Sequence, residues 1–292
     1  MGGWILGLIA LLALGGVVIY WLVFLTEGVY LGRRAVIWLY DLYAGRYDGI
    51  KQYDPITESY FLAIPLLQRL VAVRAPLVLD VATGTGRLPL ALLAQPVFQG
   101  RIVALDLSRK MLAVAAAKLA PHRSRVALLR RRAEALPFPD DTFDAVTCLE
   151  ALEFMMDPPA VLRELARVLR PGGLLVLTNR QGRDARLMPG RTFAHDHLDR
   201  LLRDEMGMAA VEIQPWQVDY RIVWAVKAGR SPVAGPLSLG EIWQCPRCGA
   251  IDLVPVERAW RCLTCETRVP VGEDGVIEAD SSEQPPNAAQ SS

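Results

Sequence analysis

Two groups of residues in this chain are spaced for chemistry. The first is Leu77-Val78-Leu79-Asp80-Val81-Ala82-Thr83-Gly84-Thr85-Gly86, an apolar run that ends on a carboxylate and turns through glycines. Gly84 and Gly86 lack the Cβ atoms that would hold a ligand off the backbone. A helix expected from about Arg87 would aim its free N–H groups at the loop. Pro89 suits the first turn of that helix, yet it breaks the G-x-G-x-x-G/A fingerprint of dinucleotide sites. Asp80 would repel a pyrophosphate, whereas it suits a ligand with a cationic amine and a sulfonium. The second group is Cys245-x-x-Cys248 and Cys262-x-x-Cys265, with 13 residues between the pairs. Four thiolates in two such pairs make a tetrahedral structural Zn2+ site, a compact zinc ribbon with no open position for chemistry. Two disulfides are the alternative.

The elements that must carry the first group alternate. Strands are expected at 77–81, 101–106, 126–130, 143–148 and 174–179, with helices at about 87–95, 108–119 and 158–169 between them. The last helix has Asp157 as N-cap, Pro158 at its first position, an apolar face from Val161 to Leu169, and Pro171-Gly172-Gly173 as its stop. Such alternation gives right-handed crossovers and a parallel sheet covered on both faces. A helix near 194–206 then leads to strands at 208–214 and 217–227. Their join, Pro215-Trp216, is too short for a crossover, so they should pair as an antiparallel hairpin.

The 292 residues carry 32 basic and 31 acidic side chains, net +1, so no global field marks a nucleic-acid binder. Arg123, Arg125, Arg130, Arg131 and Arg132 form a local cluster, read either as a solvated face or as a contact with an anionic membrane. Trp4 to Leu25 holds no charge over 22 residues. At about 1.5 Å per residue that crosses a hydrocarbon core of about 30 Å. The run is too long for a signal peptide and no basic residue precedes it, which favours a retained anchor. Arg33 and Arg34 follow it, so the positive-inside rule places the N-terminus outside and the rest in the cytoplasm. Residues 29–44 are expected to form a helix that either lies on the membrane or packs on the domain.

The motifs together resemble a Rossmann-like S-adenosylmethionine-dependent methyltransferase, of the type 11 and quinone-biosynthesis kind. The resemblance covers roughly residues 45–228. It rests on D-x-A-x-G-x-G at Asp80–Gly86, on Asp106-Leu107-Ser108-Arg109-Lys110-Met111, and on Ala133-Glu134-Ala135-Leu136-Pro137-Phe138-Pro139-Asp140 with Thr142-Phe143-Asp144. Leu169-Arg170-Pro171-Gly172-Gly173 adds the turn before the fifth strand. It implies an α/β fold with a mostly parallel seven-stranded sheet ending in an antiparallel hairpin. It implies S-adenosylmethionine as cofactor, held by Asp80, Ala82, Thr83, Gly84, Gly86, Asp106, Leu107, Met111, Ala133, Glu134 and Leu149. In the family, Asp106 accepts the ribose hydroxyls. Ala82 and Arg132 depart from the pattern: a glycine is commoner at the first, and an acid often contacts adenine at the second. Leu149-Glu150-Ala151-Leu152-Glu153-Phe154 is similar to the E-x-x-E-H segment of quinone-ring methyltransferases, but Phe154 replaces the histidine, so no catalytic metal is carried over.

No catalytic side chain is assigned; Glu150 and His195 are the candidates for a general base, with His197 beside the latter. The expected organisation is a transmembrane helix (4–25), an interfacial or packing helix (29–44), the methyltransferase domain (45–228), a linker (229–240), the ribbon (241–275) and a disordered tail (276–292). A single-pass cell-membrane enzyme that methylates a lipophilic small molecule, a quinone or lipid precursor, is the function these parts imply. Its partners would be the donor, the acceptor, the bilayer and a protein docked on the ribbon, without nucleic acid. An RNA or protein methyltransferase that grips its substrate with the ribbon, and a non-catalytic scaffold, are the other readings.

Overall fold

The computed structural model describes residues 2–233 and 235–279. Seven strands form the central sheet: β1 (Leu77–Val81), β2 (Arg101–Asp106), β3 (Val126–Arg130), β4 (Phe143–Cys148), β5 (Leu169–Arg180), β6 (Met208–Trp216) and β7 (Tyr220–Lys227). Their order is β3-β2-β1-β4-β5-β7-β6. The first five are parallel and β7 pairs antiparallel with both β5 and β6. This is the expected Rossmann-like sheet. Side chains alternate between its two covered faces: Leu77, Leu79 and Val81 belong to one apolar cluster and Val78 to the other.

Two details differ from expectation. The hairpin turns at residues 217–219, not at Pro215-Trp216, and both of those residues pair within β6. β6 is the sheet edge, where proline costs no ladder bond. Pro171-Gly172-Gly173 does not act as a separate stop before the strand. Helix Pro158–Val168 runs straight into β5, and residues 170–173 bulge between the pairs Phe143–Leu169 and Ala145–Leu174.

The helices before the sheet form a layer of their own. α1 (Gly2–Tyr20) continues through a π turn, Trp21–Leu25, and the run Trp4–Leu25 is long and apolar enough to cross a membrane, with none of its most apolar stretch buried. α2 (Arg33–Tyr43) follows a tight turn, and α3 is a continuous helical run over 55–69. Between the strands lie α4 (Arg87–Leu93), α5 (Arg109–Leu119) and α6 (Pro158–Val168), and His195–Arg200 begins α7. Ser108 caps α5 by accepting from Met111 N, and Asp157 caps α6 by accepting from Ala160 N.

The four-cysteine module carries its own sheet, β8 (Leu253–Val256), β9 (Ala259–Cys262) and β10 (Arg268–Pro270), in the order β10-β9-β8. It packs on the main domain: Trp243 is fully buried and Gln244 N donates to Pro137 O at 2.8 Å. Residues 276–279, expected in the tail, are packed instead. Val276 and Ile277 are buried, and Ile277 bridges Leu129 in parallel, capping the open edge of β3. The rest of the expected tail lies outside the described residues.

Candidate functional site

β1 and β2 end side by side, which brings Asp80 and Asp106 to the same end of the sheet. Asp80 is buried and accepts from Thr147 Oγ1 at 2.6 Å. Burial lifts its carboxyl to about 6, against the hydrogen bond from Thr147 that lowers it. Asp106 braces the loops around it: Oδ2 accepts from Gly84 N and Oδ1 from Ser108 N, both at 2.8 Å. An ionised carboxylate offers about four acceptor positions, so two remain for a ligand.

These residues border a cleft of about 780 Å³. Ala82, Gly84, Asp106, Leu107, Ala133, Glu134 and Leu149 line it, while Asp80 and Thr83 line a smaller adjoining recess that shares Ala82, Gly84 and Leu149. Tyr47 borders both. A Cβ on Gly84 (φ +55°) would meet only Tyr47 Cε1, at 4.0 Å, so this glycine keeps the cleft open.

Gly86 and Met111 do not line the cleft. Gly86 has φ +82°, and a Cβ there would lie 3.1 Å from Leu119 Cδ1 and 3.3 Å from Ala115 Cβ. Its glycine lets α4 start against α5, which is a packing role. Met111 is buried in the core behind the Ser108 cap.

The roof comes from the N-terminal layer. α2 contributes Arg33, Val36, Ile37 and Tyr40, and the wall after β4 contributes Phe154, Met155 and Met156. Two aspartates fasten this layer over the donor-side loops. Asp41 accepts from Ser108 Oγ at 2.5 Å, and Asp48 accepts from Thr85 Oγ1 at 2.5 Å and Lys118 Nζ at 2.7 Å. Arg33 reaches Glu134 at 2.9 Å, closing the far side. None of these roof residues follows from the strand-end motifs. The signals present in the chain are the helical spacing of 33–43 and the tyrosines between 40 and 60.

Glu150 lies in the cleft with φ +50° and pairs with Lys51 at 2.9 Å and Arg87 at 3.7 Å. Burial raises its carboxyl, but Lys51 and Arg87 outweigh that and hold it below the ordinary glutamate value. A carboxylate so stabilised is a weak base, and its ion pairs tie the 51 loop and α4 to the end of β4. His195 and His197 are exposed on α7 and line neither the cleft nor the recess. Cys148 is buried and its thiol is pushed far up by burial, so it stays a neutral apolar group. Three of the clustered arginines are drawn into structure: Arg125 donates to Phe98 O and Gly100 O, Arg130 to Leu107 O, and Arg131 to Ala135 O and Ala279 O. Arg132 lines the cleft, and its Nε is buried without a partner.

The four module cysteines bring their Sγ atoms within 4.8 Å of one another. Cys245–Cys265 and Cys248–Cys262 are each 3.6 Å apart, far beyond a disulfide bond. Metal–sulfur bonds of about 2.3 Å in a tetrahedron imply sulfur–sulfur edges of about 3.8 Å. The donor set therefore fits a four-thiolate metal ion.

The sheet is Rossmann-like, and residues 79–177 match the family model described as "Methyltransferase domain". Among curated proteins, the ubiquinone/menaquinone biosynthesis C-methyltransferase UbiE of Geobacter sulfurreducens is 42% identical over 102 residues, covering 34% of this chain and 40% of that protein. The demethylmenaquinone methyltransferase of Clavibacter sepedonicus is 34% identical over 139 residues, covering 48% of this chain and 55% of its own. The chain thus spans about half the length of the curated relatives it matches. Among solved structures, a chain from the complex of the Haloferax volcanii Trm112 methyltransferase activator matches 66% of this chain and 97% of its own, at 22% identity and a TM-score of 0.52.

Proposed function

We propose that this chain is a membrane-anchored methyltransferase that moves the methyl group of S-adenosylmethionine to a lipophilic small molecule of the quinone or lipid-precursor class. One observation carries the reading. The cleft that Asp106 borders, with the Asp80 recess adjoining it, is roofed by the helix that directly follows the apolar span, and Val36, Ile37, Phe154, Met155 and Met156 are among its walls. Charged groups, Arg33, Asp106, Glu134 and Glu150, line the same cleft beside these apolar ones. The matched portions of the relatives named for quinone methylation support the same acceptor class.

When bound, the donor would supply a methyl group on a positive sulfur: the sulfur–carbon bond breaks as the acceptor nucleophile bonds to the methyl carbon, the sulfur keeps the electron pair as a neutral thioether, and the proton the acceptor gives up passes to solvent. Asp80 would face the ammonium and Asp106 would take the ribose hydroxyls with its two remaining acceptor positions. Gly84 leaves the ligand room to approach the main chain, and α2 covers the cleft. Such a displacement rests mainly on alignment, and no side chain on the apolar walls is placed as a general base. The four cysteines hold structural zinc. The module docks on its own domain through Trp243, Gln244 and the β3 edge.

Lipid profiling of a deletion strain tests the reading. A lipophilic species one methylene lighter than its normal counterpart should accumulate, and full-length protein should reverse this. An unchanged lipid profile with undermethylated RNA or protein would overturn it.

A further inference from the structure

The helices that roof the cleft have a second face. On α2, Val36, Ile37 and Tyr40 face the cleft, while Arg34, Trp38 and Leu42, spaced at i, i+4 and i+8, are exposed. Trp38 shows 62% of its surface, whereas its neighbour Leu39 shows 6%. α3 repeats the pattern. Glu58 and Leu62 line the recess, and Ile56, Tyr60 and Ile64 are exposed, Ile56 at 79%. Soluble surfaces scatter such side chains singly; a stripe of them along one helix face, present on both helices, marks an interaction surface.

The chain itself indicates the occupant. α2 begins within one tight turn of the apolar span, with Thr26 N bonded to Trp21 O and Gly28 N to Leu22 O. The end of the span is fixed to the domain: Trp21 Nε1 donates to Leu187 O at 3.1 Å, and Tyr30, stacked on Trp21, donates to Pro189 O at 2.8 Å. A span in the bilayer therefore holds α2 at its surface. Tryptophan, tyrosine and leucine flanked by exposed Arg34 and Arg46 are the composition of an interfacial helix.

We infer that the outer stripes of α2 and α3 are a second membrane contact, seated in the headgroup and acyl boundary of an anionic bilayer. This rests on the anchor in the proposed function and deepens it: the roof of the cleft is itself a lipid-facing element, so a lipophilic acceptor meets the site without crossing water.

Full-length protein in nanodiscs of phosphatidylcholine and phosphatidylglycerol with acyl-brominated chains provides the test. The emission difference between wild type and Trp38→Phe isolates Trp38. Bromination should remove roughly half or more of that emission, as expected within about 5–10 Å of the acyl boundary. Tyr60→Trp, made in the Trp38→Phe background, should be quenched in the same way. Quenching of Trp4 and Trp21 with neither reporter affected would overturn the surface while leaving the anchor standing. Two copies per disc, reduced to one by Trp38→Glu, would assign the stripes to self-association and overturn it too. Protein that stays outside the discs would overturn anchor and surface together.

Discussion

Asp106→Asn separates the two tasks given to one side chain. The carboxylate accepts from Gly84 N and Ser108 N, and the proposed ribose contact uses its other two acceptor positions. An asparagine keeps one oxygen and turns its NH2 toward one of those two N–H donors. A buried donor without an acceptor costs about 1–3 kcal/mol, which is the expected loss of folding stability. Hydrogen bonds to a charged group contribute about 1.5–3 kcal/mol, so losing the ribose contact should weaken the donor about 10- to 150-fold. Calorimetry at pH 7.5 measures the second effect, and a denaturant titration of the same protein measures the first. A donor analogue without the ribose hydroxyls closes the cycle: wild type should discriminate against it and Asp106→Asn should not. Unchanged donor affinity in a destabilised variant would make Asp106 a loop brace only.

Three further outcomes follow from the same geometry. Burial lifts Asp80 from 3.8 to about 6, so its contribution to folding is fully present below about pH 3.8 and is lost as pH rises through about 6. Donor binding has the opposite sign, because an ammonium favours ionised Asp80: affinity should fall below about pH 6 by up to about tenfold per pH unit, with proton uptake on donor release. Calorimetry in buffers of different ionisation enthalpy reads both. Gly84→Ala and Gly86→Ala both place a side chain at positive φ, at a cost of about 1–2 kcal/mol in denaturant titrations. Only Gly84→Ala should also reduce donor affinity, since only its Cβ enters the cleft. Chelation, or Cys248→Ser, should free the 276–279 segment from β3, with loss of about 1.5–3 kcal/mol for each of Val276 and Ile277. Hydrogen exchange at Arg130 N, which donates to Ile277 O, should then rise; unchanged protection would show that the metal does not support the edge.

Much of the sheet was legible because buried parallel strands announce themselves as short apolar runs. β1 to β4 begin and end where those runs do, and the paired acids follow from strands that end together. The features not legible in the sequence depend on residues far apart in the chain. Gly86 has the same local appearance as Gly84, and only the approach of Ala115 and Leu119 makes it a packing glycine. Met111 follows an acid-and-serine motif, yet the helix turns it into the core. Val276 and Ile277 border a Ser-, Pro- and Gln-rich stretch whose composition suggests disorder, but the open edge of β3 recruits them. Residues 29–44 left two expectations open, lying on the membrane or packing on the domain. Packing is seen in the contacts of Leu39 and Asp41; the opposite face carries the membrane proposal. The arginine cluster near 130 illustrates the reverse error, since a run of like charges says nothing about the carbonyls each guanidinium will find.

The central claim is transfer of a methyl group to a membrane-borne acceptor. Full-length protein in nanodiscs, supplied with methyl-labelled S-adenosylmethionine and an extract of the native membrane lipids, tests it most directly. The account predicts label in a discrete organic-soluble species, dependent on Asp106. Label confined to protein or RNA, or no transfer by protein that binds the donor, would contradict it.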